Sequence, residues 1–281
     1  MDRPLLRLPL TALSLAFAGA ASAAPPPPPY AGLPTAYSYV ALADMALASQ
    51  VVIAADIVDA IPLKDSTDVP ADKTRYYVQA QVKALISGRA DLPLNIAYQV
   101  DLPTDPKGRK LKLKGVPVLL LAATTPTAGM LRLIGPNAQV PRTPDNEARV
   151  RAILAAAIAP DAPPIMTGIT RAFHVAGTLP GESETQIFVK TADARPISLN
   201  ILRRPGEKPR WAVALTELVD DSAAPPPPDS LLWYRLACGL PRKVPDSAVD
   251  GQTPADADAA RADYALVLAG LGPCREGGTG S

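Results

Sequence analysis

The chain has 281 residues, 48% of them hydrophobic, with 28 basic residues against 27 acidic ones, two cysteines and a single histidine, His174. This composition supports packed cores over a length that allows two ordinary domains, and it excludes an intrinsically disordered chain. Near-neutrality argues against a dedicated nucleic-acid binder, and one histidine removes most triads, histidine-based metal sites and proton relays.

In chain order, Arg3 and Arg7 supply a basic start, residues 8–20 a short apolar stretch, and Ala21-Ser22-Ala23 the small side chains that a signal peptidase accommodates. Residues 1–23 are therefore expected to be a cleaved signal peptide. The apolar stretch falls short of the roughly 20 residues a membrane span needs. With no cysteine before Cys238, a lipoprotein anchor is not expected. Loss of Asp2, Arg3 and Arg7 leaves a formally neutral protein, expected in the periplasm or secreted. Residues 24–37, with consecutive prolines at 25–29, read as an extended leader.

Ser38 caps a predicted short helix that feeds into a strand over 51–61, with Val51, Ile53, Ala55 and Ile57 on one face. Residues 75–87 alternate clearly, placing Tyr76, Val78, Ala80 and Val82 opposite Gln79, Gln81 and Lys83. Ile96, Tyr98 and Val100 repeat the pattern against Asn95, Gln99 and Asp101. The continuous apolar run 116–122 predicts a strand buried on both faces, and a turn through Pro126 and Gly129 leads to a strand over 130–134. Thr143 then caps a helix with Pro144 at its first position and an apolar stripe of Val150, Ile153, Leu154, Ala157 and Ile158.

Residues 38–160 thus read as helix, five strands, helix, which predicts an OB-like five-stranded β-barrel domain. The layout resembles the netrin-like modules of the tissue inhibitors of metalloproteases. That resemblance implies a protease-inhibitor-like module. Those modules carry paired cysteines near their start and this segment has none, so no inhibitory residue carries over.

Residues 165–220 predict a small antiparallel β domain with strands around 169–176, 185–191, 197–201 and 211–215 and a hairpin turn at Arg204-Pro205-Gly206-Glu207. After prolines 225–228, residues 229–274 predict a helical pair. Asp229 or Ser230 caps the first helix, Pro254 opens the second and Gly270 or Gly272 stops it, leaving 275–281 as a disordered tail. Cys238 and Cys274 are expected to form a disulfide across the two helix exits. The wording Leu232-Trp233-Tyr234-Arg235-Leu236-Ala237-Cys238 with Leu271-Gly272-Pro273-Cys274 resembles a group of exported bacterial proteins, a likeness that carries no activity with it. The expected fold is therefore mainly β with α: barrel, small sheet and disulfide-tied helical pair.

Three constellations could carry chemistry. The run 107–115 places Lys110, Lys112 and Lys114 on one side of an extended chain, beside Arg109, with Leu111 and Leu113 on the other. Arg203, Arg204 and Arg210 form a second basic spot at the hairpin tip. Together they suggest a non-catalytic envelope protein whose basic β edges bind a protein or an anionic glycan or lipid headgroup, although lysines also blunt sheet edges. The alternative is a hydrolase using His174 or the carboxylates Glu182, Glu184 and Glu217, with His174 read as a partly exposed strand residue sharing a face with Thr170 and Ala172. Asp256, Asp258 and Asp263 read as helix-start acids rather than calcium ligands. No metal and no nucleotide cofactor is expected.

Overall fold

The structure is a computed structural model that describes residues 36–63, 68–88, 91–104, 111–215 and 224–275. The expected signal peptide, nearly all of the leader, Arg109, Lys110, Glu217 and the tail from residue 276 lie outside the described residues.

The first half begins with α1 (Tyr39–Ala48), whose N-cap Ser38 accepts from the Ala41 N–H, a contact that stabilises a helix by about 1 kcal/mol. It continues through β1 (Val51–Pro62), β2 (Lys73–Ser87), β3 (Asn95–Pro103), β4 (Pro117–Thr124), β5 (Leu131–Leu133), β6 (Gln139–Pro141) and α2 (Pro144–Ile158). The strands run in the order β3-β2-β1-β4-β5, and a parallel bridge between Ala97 and Met130 brings β3 back to β5, so the sheet forms a nearly closed five-stranded barrel. The additional strand β6 pairs with β4 beyond the end of β5. Its three residues are too few to show a hydrophobic period.

Inside the barrel lie Ile53, Ile57, Val78, Tyr98, Val118 and Leu120. The alternate residues of β1 and β4, among them Val52, Ala54, Leu119 and Leu121, pack outward beneath α1 and α2. Both faces of these two strands are therefore buried, which is why they read as continuous apolar runs rather than alternating ones.

The second half is a four-stranded antiparallel sheet in the order β10-β9-β8-β7, built from β7 (Met166–Ala176), β8 (Ser183–Thr191), β9 (Ile197–Arg203) and β10 (Arg210–Ala214). One face is covered by α3 (Leu231–Gly239), a short 3-10 turn (Asp246–Val249) and α4 (Pro254–Leu271), and the core between them holds Ala172, Ile187, Leu199, Ile201, Leu236, Tyr264 and Val267. The approach is close: a Cβ on Gly270 would stand 2.6 Å from Trp211 Nε1. Ser230, not Asp229, caps α3, because Asp229 adopts φ 56° and turns the chain just before the cap.

Helix α3 joins the two halves. Leu236 faces the sheet core, whereas Trp233 and Tyr234 pack against the α1 side of the barrel, and the Tyr234 hydroxyl donates to Asp44 Oδ1 at 2.6 Å. The disulfide between Cys238 and Cys274 ties the end of α3 to the exit of α4, where Trp233 Nε1–H also donates to Leu271 O. The expected mainly β architecture with a disulfide-tied helical pair is thus the architecture observed.

Candidate functional site

Two irregularities in β7, between Met166 and Gly168 and between Ile169 and Arg171, shift its side-chain alternation. Ile169 and Ala172 both face the core, three residues apart, and His174 follows Ala172 onto that covered face with only 11% of its side chain exposed. His174 keeps a small part of the exposure expected of it, but the face is corrected to the covered one: Phe173 and Val175 point to solvent, and His174 lies against α4 and the turn preceding it.

There His174 belongs to a buried polar network. Asp263, in the middle of α4 and 1% exposed, accepts from Thr185 Oγ1 at 2.5 Å through Oδ2 and from Arg203 through Oδ1, with Nε at 2.7 Å and Nη2 at 2.5 Å. Thr185 Oγ1 also lies 2.9 Å from His174 Nδ1. The threonine has one hydroxyl proton and gives it to the carboxylate, so His174 Nδ1 carries the proton of the second contact. Gln252 completes the arrangement from outside: its amide donates to Ala172 O and its Oε1 accepts from His174 N–H at 2.9 Å, in the manner of a neighbouring strand. The open edge of β7 is thereby blocked at those two residues.

In a nucleophilic triad the imidazole stands between hydroxyl and carboxylate. Here the hydroxyl stands between them and is itself fully buried. What this geometry can do is hold β7, β8 and β9 against α4 through one internally neutralised ion pair. Arg203 is accordingly an anchor and not a free surface cation.

On the opposite face, the same strands line a groove of about 590 Å³ bordered by Phe173, Val175, Glu182, Glu184, Leu202 and Arg204. Cross-strand register places Val175 beside Glu184 and Glu184 beside Leu202. Phe173 packs edge-on against Phe188 at 6.2 Å and carries Arg171 at 5.2 Å over its ring. Glu182 Oε2 accepts from Leu179 N–H at 3.3 Å, which closes the turn at one end of the groove. Sequence reading named these glutamates and arginines separately; the sheet brings Glu182, Glu184, Arg203 and Arg204 to one groove and sets His174 behind it. Arg210 is exposed, 3.8 Å from Glu207 across the hairpin turn.

Lys112 and Lys114 are exposed, with Leu113 buried in the barrel between them and Leu111 packed beside it. The expected alternation holds, but the segment is an extended connection to β4 rather than a strand, pinned where Gly115 N–H donates to Ile57 O.

Gln252 was missed, and the reading of Asp263 as a helix-start acid is corrected: only Asp256 stands in the first turn of α4, and Asp263 is buried at mid-helix. Asp263 had a readable signal: it interrupts the buried α4 stripe Ala257, Ala260, Tyr264, Val267 and Leu271. An acid on a helix's apolar stripe implies a buried cation or donor. Gln252, in a turn, had none. No protein-family model and no curated protein matches the chain.

Proposed function

We propose that the mature chain is an exported, non-catalytic envelope protein that takes a protein partner in the groove on the open face of the β7–β10 sheet. The observation that carries this reading is the makeup of that face. Exposed Phe173, Val175 and Leu202 stand beside Glu184 and Arg204, giving apolar contact area framed by both signs of charge. Aromatic and aliphatic anchors inside a polar rim are what protein partners use.

A polyanion would require net positive charge, whereas Arg203 is neutralised by Asp263 and Glu182 and Glu184 share the groove with Arg204. The buried network behind the face keeps the three strands in fixed register, which lowers the ordering cost of binding. The Cys238–Cys274 bond supports an oxidising compartment. No helix among the described residues is long and apolar enough to cross a membrane.

The test is retention of envelope-extract proteins by the purified chain at low and high salt. Three forms are compared: wild type, Val175→Glu with Leu202→Glu, and Lys112→Glu with Lys114→Glu. Salt-resistant capture of a discrete protein, abolished by the groove pair and unaffected by the lysine pair, is the expected result. Loss in the lysine pair alone, with salt-sensitive capture, would transfer binding to the basic segment.

A further inference from the structure

Among the described residues the barrel is closed at one point, the Ala97–Met130 bridge. Val82 N–H donates to Leu94 O, one step beyond the Gln81–Asn95 pair, so the even-numbered residues of β3 turn their backbone groups toward β2. The odd-numbered residues turn theirs away, and Ala97 N–H accordingly bonds Gly129 O across the seam. On the other side, Ile134 N–H donates to Leu121 O, so β5 turns its even-numbered residues to β4 and Leu131 and Leu133 toward the seam. Beyond the Ala97–Met130 bridge the two edges part. Past that bridge, which already takes the Leu131 N–H, the backbone groups of Gln99 and Asp101 face Leu131 C=O and the groups of Leu133 without a ladder joining them.

The space between is a cavity of about 480 Å³ lined by Gln99, Val100, Asp101, Leu131, Arg132 and Leu133. Its floor is apolar, from Val100 and Leu131, and its rim is charged. Arg75 at that rim is held by Asp101 at 2.7 Å and by Asp68 at 2.8 Å. Arg132 is exposed and has no ion-pair partner among the described residues.

We infer that this gap accepts an extended peptide of a partner protein as an added strand on the β3 edge, with apolar side chains turned to Val100 and Leu131 and an acidic side chain turned to Arg132. Two facing rows of main-chain donors and acceptors specify an extended backbone, because only another strand satisfies groups at that spacing. The alternation of floor and rim specifies its side chains, and the unpaired Arg132 sets their charge. The site is separate from the groove on the second sheet and does not depend on that assignment.

The N–H of Gln99 is outside the β2–β3 ladder, so Gln99→Pro removes one seam donor while every ladder bond stays in place. A displayed library of random twelve-residue peptides is selected against the full mature chain, and enriched peptides are titrated against wild type, Gln99→Pro, Arg132→Glu and Val175→Glu. Thermal unfolding confirms that each variant is folded. Enriched sequences are expected to alternate apolar and acidic residues and to bind at least tenfold more weakly to Gln99→Pro and to Arg132→Glu. They should keep their affinity for Val175→Glu and lose it when synthesised with alternate backbone amides N-methylated, a control that leaves the protein untouched. No enrichment, equal binding to Gln99→Pro, or loss only with Val175→Glu would overturn the proposal. A wild-type dimer in sedimentation that Gln99→Pro converts to monomer would overturn it too, by making a second copy the occupant.

Discussion

Replacing Asp263 by Asn keeps the side chain's shape and removes its charge. The carboxylate is buried to 1% and accepts from Thr185 and from two nitrogens of Arg203. An asparagine there can accept through one oxygen, while its NH₂ group confronts a donor. Breaking a buried pair by removing one partner costs about 3–5 kcal/mol. Arg203, however, is 37% exposed and regains water once released, so the expected loss lies at the low end, about 3 kcal/mol. For a chain of this size that corresponds to roughly 6–12 °C in Tm. Urea denaturation at pH 7 of Asp263→Asn, Arg203→Gln and the double variant measures it. The double variant should lose clearly less than the sum of the singles, because each single leaves the other group unmatched. A loss under about 1 kcal/mol for Asp263→Asn, or strict additivity, would refute the view that this network holds the sheet to α4.

Replacing Cys238 and Cys274 by Ser opens a closure spanning 36 residues and should cost up to about 4 kcal/mol, read as a fall in the urea midpoint that reductant reproduces in wild type. Gln252→Ala uncovers the β7 edge at Ala172 and His174, and should cost about 1–2 kcal/mol and introduce concentration-dependent association visible by light scattering. Tyr98→Phe strips the buried Gln139 amide of its one hydrogen-bond partner, since Gln139 Nε2 already has none; it should destabilise by about 1–2 kcal/mol, and Gln139→Met should restore much of the loss. The hydrogen bond from Arg75 holds the Asp101 carboxyl below its usual range, and that from Arg142 does the same for Glu147. A depressed folded value contributes stability that is present above the unfolded carboxylate range near pH 4 and is lost as pH falls through the folded value. Acid unfolding of Arg75→Gln should therefore show a shallower pH dependence below about pH 4 than wild type.

Most of the fold was legible because its strands declare themselves. β2 and β3 alternate cleanly since one face of each meets the barrel interior. Ser38, Thr143 and Ser230 each accept from a first-turn amide, as short polar side chains before an apolar stripe do. What escaped reading depends on tertiary contacts. The bulges of β7 inverted the expected surroundings of His174, since nothing in its sequence marks where an extra residue enters the ladder. The groove joins side chains from three strands, and spacing along the chain says nothing about which turn brings them together. Likewise Arg203 looked like a free cation beside Arg204, yet its guanidinium is taken by Asp263 of α4.

The central claim, that the open face of the second sheet is a recognition surface while the imidazole behind it is structural, is tested most directly by site-specific photo-crosslinking in the native cell. A benzophenone side chain placed at Val175 should yield a discrete protein adduct, persisting in a His174→Gln background, while the same probe at Ile158, 85% exposed on the far helix, yields none. Adducts at both positions, at neither, or at Val175 only when His174 is intact would contradict it.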